Sequence, residues 1–142
     1  MAVNDGQLNS LTLQIIQAAI EVHKTLGPGL LESTYRICTA HELMSANINV
    51  EQEVVLPVIY KGIRLEAGYR LDMVVNDLVI IEFKSVESLL PIHEAQVISY
   101  LKLSGLKVGL LINFNVRILK SGIRRLVNNF RDENFSSSRI SL

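Results

Sequence analysis

The sequence predicts an α/β domain in which helices cover a mixed sheet, and three observations predict it. Leu8, Leu11, Ile15, Ala19, Val22 and Leu26 recur at steps of three and four, the stripe of an amphipathic helix. Residues 52–84 are rich in β-branched and aromatic side chains, broken by the turn signals "YKG" and "VND". A second helical pattern from Pro91 then leads into the apolar run "LKVGLLINF", and a strand, helix, strand unit within one sheet is a crossover connection.

The elements follow in order. The first helix ends at "GPG", residues 27–29, and a second spans about Leu30 to Ala46. Three strands are predicted near 52–60, 63–75 and 78–84 as a meander, with Pro57 pushing the first towards a sheet edge because it lacks a donor for the ladder. Pro91 opens a helix that Gly105 closes after Ser104. "LKVGLLINF" reads as a buried strand, and "ILKSGIRRLVN" as a turn or short helix around Lys120 leading into a last strand near 122–127. The order is α, α, β, β, β, α, β, β, with four to five strands in the sheet. Residues 1–131 form one expected domain, and the Ser-rich residues 132–142 an expected flexible tail.

At 142 residues and 15.9 kDa the chain is long enough to bury a core without a metal or a disulfide. The single cysteine, Cys38, excludes an internal disulfide and any multi-cysteine zinc site. Charged residues interrupt every apolar stretch before it reaches the length of a membrane span, and the N-terminus lacks the basic and apolar regions of a signal peptide. A cytoplasmic protein without a membrane partner is the expectation. The 49% hydrophobic content in so small a chain makes a homodimer possible, covering an apolar face.

The net charge of zero hides an asymmetry. Residues 1–94 hold 6 Lys or Arg against 12 Asp or Glu, a balance of −6. Residues 95–131 hold Lys102, Lys107, Arg117, Lys120, Arg124, Arg125 and Arg131 with no acid, a balance of +7. Such a run suggests a surface for a polyanion, with Lys102, Arg117, Lys120 and Arg124 as nucleic-acid contacts, or else an ordinary solvated positive face.

The strand "LVIIEFKS" poses a chemical question. Residues two apart share a strand face, so Glu82 and Lys84 point one way, and an ion pair in a buried strand costs desolvation that its attraction does not reliably return. Asp72 ends the preceding strand, ten positions earlier. A two-residue Asn76-Asp77 loop would place Asp72 opposite Ile81, whereas a three-residue loop, Asn76 to Leu78, pairs Val75 with Val79 and therefore Asp72 with Glu82. Two facing carboxylates repel unless one is protonated or a cation sits between them. Magnesium, or manganese, suits the donor set: Asp72, Glu82 and the Phe83 carbonyl as oxygen ligands, with Lys84 facing a water or a phosphate.

The surrounding residues extend this unit. "GPGLLESTY" contains Gly29, Glu32 and Tyr35, and "HEAQVISYLK" contains Gln96 and Tyr100 on one helical face. In these features the chain resembles the GxxExxY proteins, a group within the PD-(D/E)XK nuclease superfamily, from about residue 8 to 128. Gln96 with Tyr100 is also similar to the Gln-x-x-x-Tyr element of RecB-like nucleases. The proline of the superfamily's name is absent, Leu71 standing before Asp72.

The resemblance implies a restriction-endonuclease-like core and a magnesium-dependent nuclease site at Asp72, Glu82 and Lys84. Gln96 would position water, and Glu32 would hold it or a second metal; otherwise Glu32 is only a carboxylate favoured by the dipole of its helix. Tyr100 either packs in the core or stacks on a base. The implied partner is nucleic acid, DNA in preference to RNA. The alternative is a non-catalytic module that binds nucleic acid or protein on the same fold.

Overall fold

The computed structural model describes residues 4–128. At the start of the first helix the Asn4 side chain accepts a hydrogen bond from Gln7 N at 2.7 Å, and Gln7 Oε1 accepts one from Asn4 N at 3.1 Å. This reciprocal cap satisfies donors that a helix start leaves open. The helix, α1 (Asp5–Leu26), buries the predicted stripe from Leu8 to Val22 and stops at Gly27; α2 (Glu32–Ser45) follows.

The strand region is more divided than its composition suggests. The stretch predicted as 52–60 is two strands, β1 (Val50–Val55) and β2 (Val58–Tyr60), and that predicted as 63–75 is also two, β3 (Ile63–Leu65) and β4 (Arg70–Val75). Pro57 breaks the first, and the second is interrupted at residues 66–69, where Gly68 takes φ 84°. β2 and β3 pair only with each other, as a separate ribbon. After β5 (Val79–Lys84), α3 (Pro91–Ser104) runs back to β6 (Val108–Asn113), and a 3-10 turn at Leu119–Gly122 leads into β7 (Ile123–Val127).

The main sheet has five strands in the order β1-β4-β5-β6-β7, with β5 and β6 parallel and the other pairs antiparallel. β1 lies at an edge, as Pro57 predicted. Between β4 and β5 the register pairs Val75 with Val79 across a three-residue loop, in which Asn76 (φ 52°) and Asp77 (φ 55°) adopt the left-handed conformation.

α1 and α2 cover one face, with Leu8, Ile15 and Leu43 packing against Met73, Ile81, Phe83 and Ile112. On the other face α3 sets Val97, Tyr100 and Leu101 against Val74, Ile80 and Leu111. Each fully buried Leu or Ile contributes roughly 1.5–3 kcal/mol relative to exposure. Gly109 is what lets α3 come so close, because a Cβ there would stand 2.7 Å from Val97 Cγ1. Among the described residues no helix is long and apolar enough to cross a membrane. The expected tail, 132–142, lies outside the described residues.

Candidate active site

The β4–β5 ladder runs from Val75–Val79 to Met73–Ile81, and there carboxylates take over from carbonyls. Glu82 Oε2 accepts from Asp72 N at 2.8 Å, and Asp72 Oδ2 accepts from Phe83 N at 2.9 Å. On the other flank of β4 the pairs Gln52–Met73 and Val54–Leu71 leave out Glu53, which stands opposite Asp72 at φ 53°. The backbone at Asp72 is thus released from regular pairing on both sides. Its side chain and that of Glu82 occupy the hairpin where it loosens, on the face that α3 covers through Val74 and Ile80.

Burial dominates the electrostatics. It pushes the Glu82 carboxyl up to about 8, with the Asp72 charge adding to the rise, while the Asp72 N–H and Lys84 oppose it. Asp72 is raised from its ordinary value by burial first; the Phe83 N–H and the Lys84 charge pull it down, and Glu32 pushes it up. The pair is short of positive charge. Among the described residues Asp72 Oδ1 and Glu82 Oε1 receive no hydrogen bond, so each acid keeps one oxygen free for a ligand.

These features fit a hard divalent cation. Within a strand the N–H and C=O of one residue point to the same side. Phe83 N reaches Asp72, so the Phe83 carbonyl opens towards β4 too, past the last ladder pair. Two carboxylates and one carbonyl form an oxygen set of the kind magnesium accepts while keeping several waters. No cluster of three or more His, Cys, Asp or Glu side chains suited to a metal occurs among the described residues. Glu32 therefore stands apart from the Asp72–Glu82 pair rather than completing a ligand set with it: Glu32 Oε2 accepts from Ser85 N at 3.1 Å, and only its charge reaches the two acids.

Lys84 is half-buried, and its charge lowers the proton affinity of both carboxylates. Among the described residues it forms no ion pair. The bland explanation of the Glu82-x-Lys84 spacing, a structural salt bridge, is not what the chain builds. Gln96 and Tyr100 lie on α3 along one cavity, without hydrogen bonds among the described residues. The Tyr100 ring is only 8% exposed and sits edge-on to Tyr69, with centroids 6.4 Å apart. Burial raises its phenol, and the Glu82 and Asp72 charges add to the rise. A ring so covered is a poor stacking platform, and its place in the core overrides the stacking role that sequence alone allows.

The Gly29-Glu32-Tyr35 spacing has a physical explanation. Tyr35 is fully buried and stacks on Phe114 at 4.3 Å; its hydroxyl donates to Gly27 O at 2.6 Å and accepts from Leu30 N at 3.1 Å. The loop before α2 is thereby pinned, and Ser85 Oγ ties it to the end of β5 by donating to Leu30 O at 2.7 Å. Tyr35→Phe removes both hydroxyl bonds and is expected to cost about 1–3 kcal/mol of unfolding free energy, read by urea denaturation. A loss below a few tenths of a kcal/mol would show that the pin carries no load.

The basic run divides between the two ends of the sheet. α3 returns antiparallel to β5, so Lys102 and Lys107 lie towards the end of the sheet away from Lys84; Val108, next to Lys107, pairs with Val79. Arg124 faces α3 from the edge strand and pairs with Glu94 at 3.8 Å, whereas Arg125 points to the opposite face and donates to Asn9 Oδ1 at 2.8 Å. Arg117 and Lys120 follow the end of β6 that pairs with Lys84, and both are exposed. Of the four basic contacts expected from sequence, these two follow the site's end of the sheet, Arg124 stands in one row with Leu111 and Glu82, and only Lys102 lies at the far end.

Two supporting residues escaped the sequence reading. Arg36, one helical turn after Glu32, is the cation that joins Lys84 in lowering Asp72, and it pairs with Glu53 at 3.8 Å. The Glu32–Arg36 spacing of four on a helix was its signal. Asn113, buried beside Lys84 in the β5–β6 register, accepts from Val86 N at 3.0 Å and donates to Val86 O at 2.9 Å, fixing the chain just beyond Lys84. A buried Asn ending an apolar strand gives no such indication in advance.

A mixed sheet whose β4–β5 hairpin ends in two facing carboxylates with a lysine on the same face defines a phosphodiesterase-like α/β core. Residues 9–126 match the family model of the PD-(D/E)XK nuclease superfamily, and the chain belongs to that superfamily. Its five-stranded sheet with helices on both faces is consistent with a restriction-endonuclease-like fold. Comparisons with curated proteins and with solved structures gave no match.

Proposed function

We propose that the chain is a metal-dependent nuclease that hydrolyses nucleic-acid phosphodiester bonds at Asp72, Glu82 and Lys84. The observation that carries this reading is the carboxylate pair, Glu82 buried and Asp72 half-buried, both raised in pKa and each with a free oxygen among the described residues, beside a lysine that forms no ion pair among them. Asp72, Glu82 and the Phe83 carbonyl would hold Mg²⁺ or Mn²⁺. When bound, the cation supplies water activation and neutralisation of charge on the phosphate. Lys84 meets the scissile phosphate and offsets the negative charge that builds there. Gln96 orients the attacking water from α3. Glu32, tied to Ser85 N, holds the chain beyond Lys84 in place.

DNA is the preferred substrate, with Arg117 and Lys120 as its phosphate contacts on the Lys84 side. Membership of the GxxExxY group rests on Gly29, Glu32 and Tyr35 and on the loop that Tyr35 fixes. Incubation with labelled single-stranded and duplex DNA and RNA, in magnesium, manganese or EDTA, tests the proposal. Cleavage that EDTA abolishes supports it; tight binding without cleavage in either metal would favour the binding module instead.

A homodimer is a further part of the proposal, supported by exposed apolar side chains on the β2–β3 ribbon, Ile59, Tyr60, Ile63 and Leu65. Sedimentation at micromolar concentration is expected to show a species of twice the chain mass, and a purely monomeric profile would remove it.

A further inference from the structure

On the face that α3 covers, a cavity of about 440 Å³ opens between α3 and the β2–β4 connection, within the roughly 300–1,000 Å³ of small-ligand sites. Val58 and Tyr69 form one wall; Ile92, Gln96, Ser99 and Tyr100, all on α3, form the other. We infer that this cavity is a subsite for one unpaired nucleobase of the substrate strand, with Tyr69 as the stacking face and Ser99 as a partner for the base edge. The inference rests on the nuclease reading and adds to it the kind of strand that fits.

Four observations select this occupant. Among the described residues none that lines the cavity is charged, so it suits an uncharged aromatic body and not a phosphate. Tyr69 is 45% exposed, which leaves ring surface open, and its edge-on contact with Tyr100 steadies its orientation. Ser99 is exposed on the α3 wall, where its hydroxyl can meet a donor or an acceptor of a base edge. The cavity also neighbours the reaction centre, since Tyr100 in its wall feels the Glu82 and Asp72 charges. Tyr69 lies three residues before Asp72, and Tyr100 packs with Ile80 and Leu111 on the face that carries Glu82.

On this inference a base held against Tyr69 would direct its own phosphate towards the reaction centre. Bases inside a duplex are stacked on both faces and paired at the edge, so only a single strand, a frayed end or an extruded base can enter. The substrate strand is therefore one with an unpaired base next to the cleaved bond.

Binding tests this without any cleavage. In Asp72→Asn/Glu82→Gln protein, with EDTA and low salt, anisotropy of a labelled single-stranded DNA dodecamer is compared with a blunt duplex of the same sequence. Tyr69→Ala is expected to weaken single-strand binding about tenfold, from the usual worth of base–aromatic stacking, and Tyr69→Trp to preserve it. Ser99→Trp, which fills the cavity, is expected to weaken it as much, while duplex binding stays unchanged in all three. Circular dichroism confirms that each variant is folded. Wild-type affinity in both Tyr69→Ala and Ser99→Trp would overturn the subsite, as would equal losses for single strand and duplex. A change of sedimentation mass on filling the cavity would likewise overturn it, identifying a protein interface. The nuclease reading stands or falls separately, on metal-dependent cleavage by the unsubstituted protein.

Discussion

Asp72→Asn and Glu82→Gln are each expected to lower metal-dependent cleavage by on the order of 10³-fold or more, and Lys84→Ala by about 10²–10³-fold, the usual cost of removing one preorganised electrostatic group. The three are separable by a second measurement. Neutralising either acid removes half of a two-carboxylate donor set, so Mg²⁺ affinity falls with activity; removing Lys84 takes away a cation and no ligand, so metal binding is preserved or tightened. Glu82→Gln keeps an oxygen able to accept from Asp72 N, so its loss of activity is not a loss of fold. Titration calorimetry with Mg²⁺ beside a single-turnover cleavage assay distinguishes these outcomes. Undiminished cleavage in all three variants would place the chemistry elsewhere.

The second large effect is on stability. Glu82 has its folded pKa near 8, well above its ordinary 4.5, because burial and the Asp72 charge disfavour ionisation. The folded state therefore binds the proton more tightly than the unfolded state does. The resulting stabilisation is complete below about pH 4.5 and is lost as the pH rises to 8. Each pKa unit is worth ~1.4 kcal/mol, so the loss over that span is several kcal/mol. Metal-free protein in EDTA is expected to lose urea stability steadily between pH 5 and 8, and Glu82→Gln to flatten much of that slope. Added Mg²⁺ favours the ionised pair, so its stabilising effect is expected to be small at pH 5 and large at pH 8. Parallel pH profiles for wild type and Glu82→Gln would show that Glu82 ionises freely in the fold.

Much of the site was legible in the sequence because parity carries long-range information in a hairpin. The distance from Asp72 to Glu82, combined with loop length, decides which acids share a face, and the Val75–Val79 pair follows that count. α3 was equally plain, since Pro91 and Gly105 mark its ends by conformation. The β2–β3 ribbon was not. Residues 52–75 alternate continuously enough to suggest two long strands, and nothing in the pattern says that the chain leaves the sheet at Pro57 and rejoins it at Arg70. The acid-free run misled for a related reason. Charge counted along the chain ignores that α3 and β6 run between the two ends of the sheet, which carries Lys102 and Lys107 to the far end, and that neighbours on β7 alternate in face, which turns Arg125 away from Arg124. Tyr69 was passed over because a tyrosine in "EAGYR" looks like turn punctuation until the fold puts it against Tyr100.

The exchange of carboxylate oxygens for carbonyls at the open end of the β4–β5 hairpin also equips the protein with its own spectroscopic probe. The amide protons of Asp72 and Phe83 point at groups whose charge changes with pH and with any bound cation, whereas ladder amides such as that of Ile81, paired with Met73, face carbonyls that do not titrate. In a ¹⁵N–¹H correlation spectrum these two resonances are expected to move together along the Glu82 titration and to shift again on metal addition. Site occupancy becomes visible in the unmodified chain, with no substrate and no label at the reaction centre.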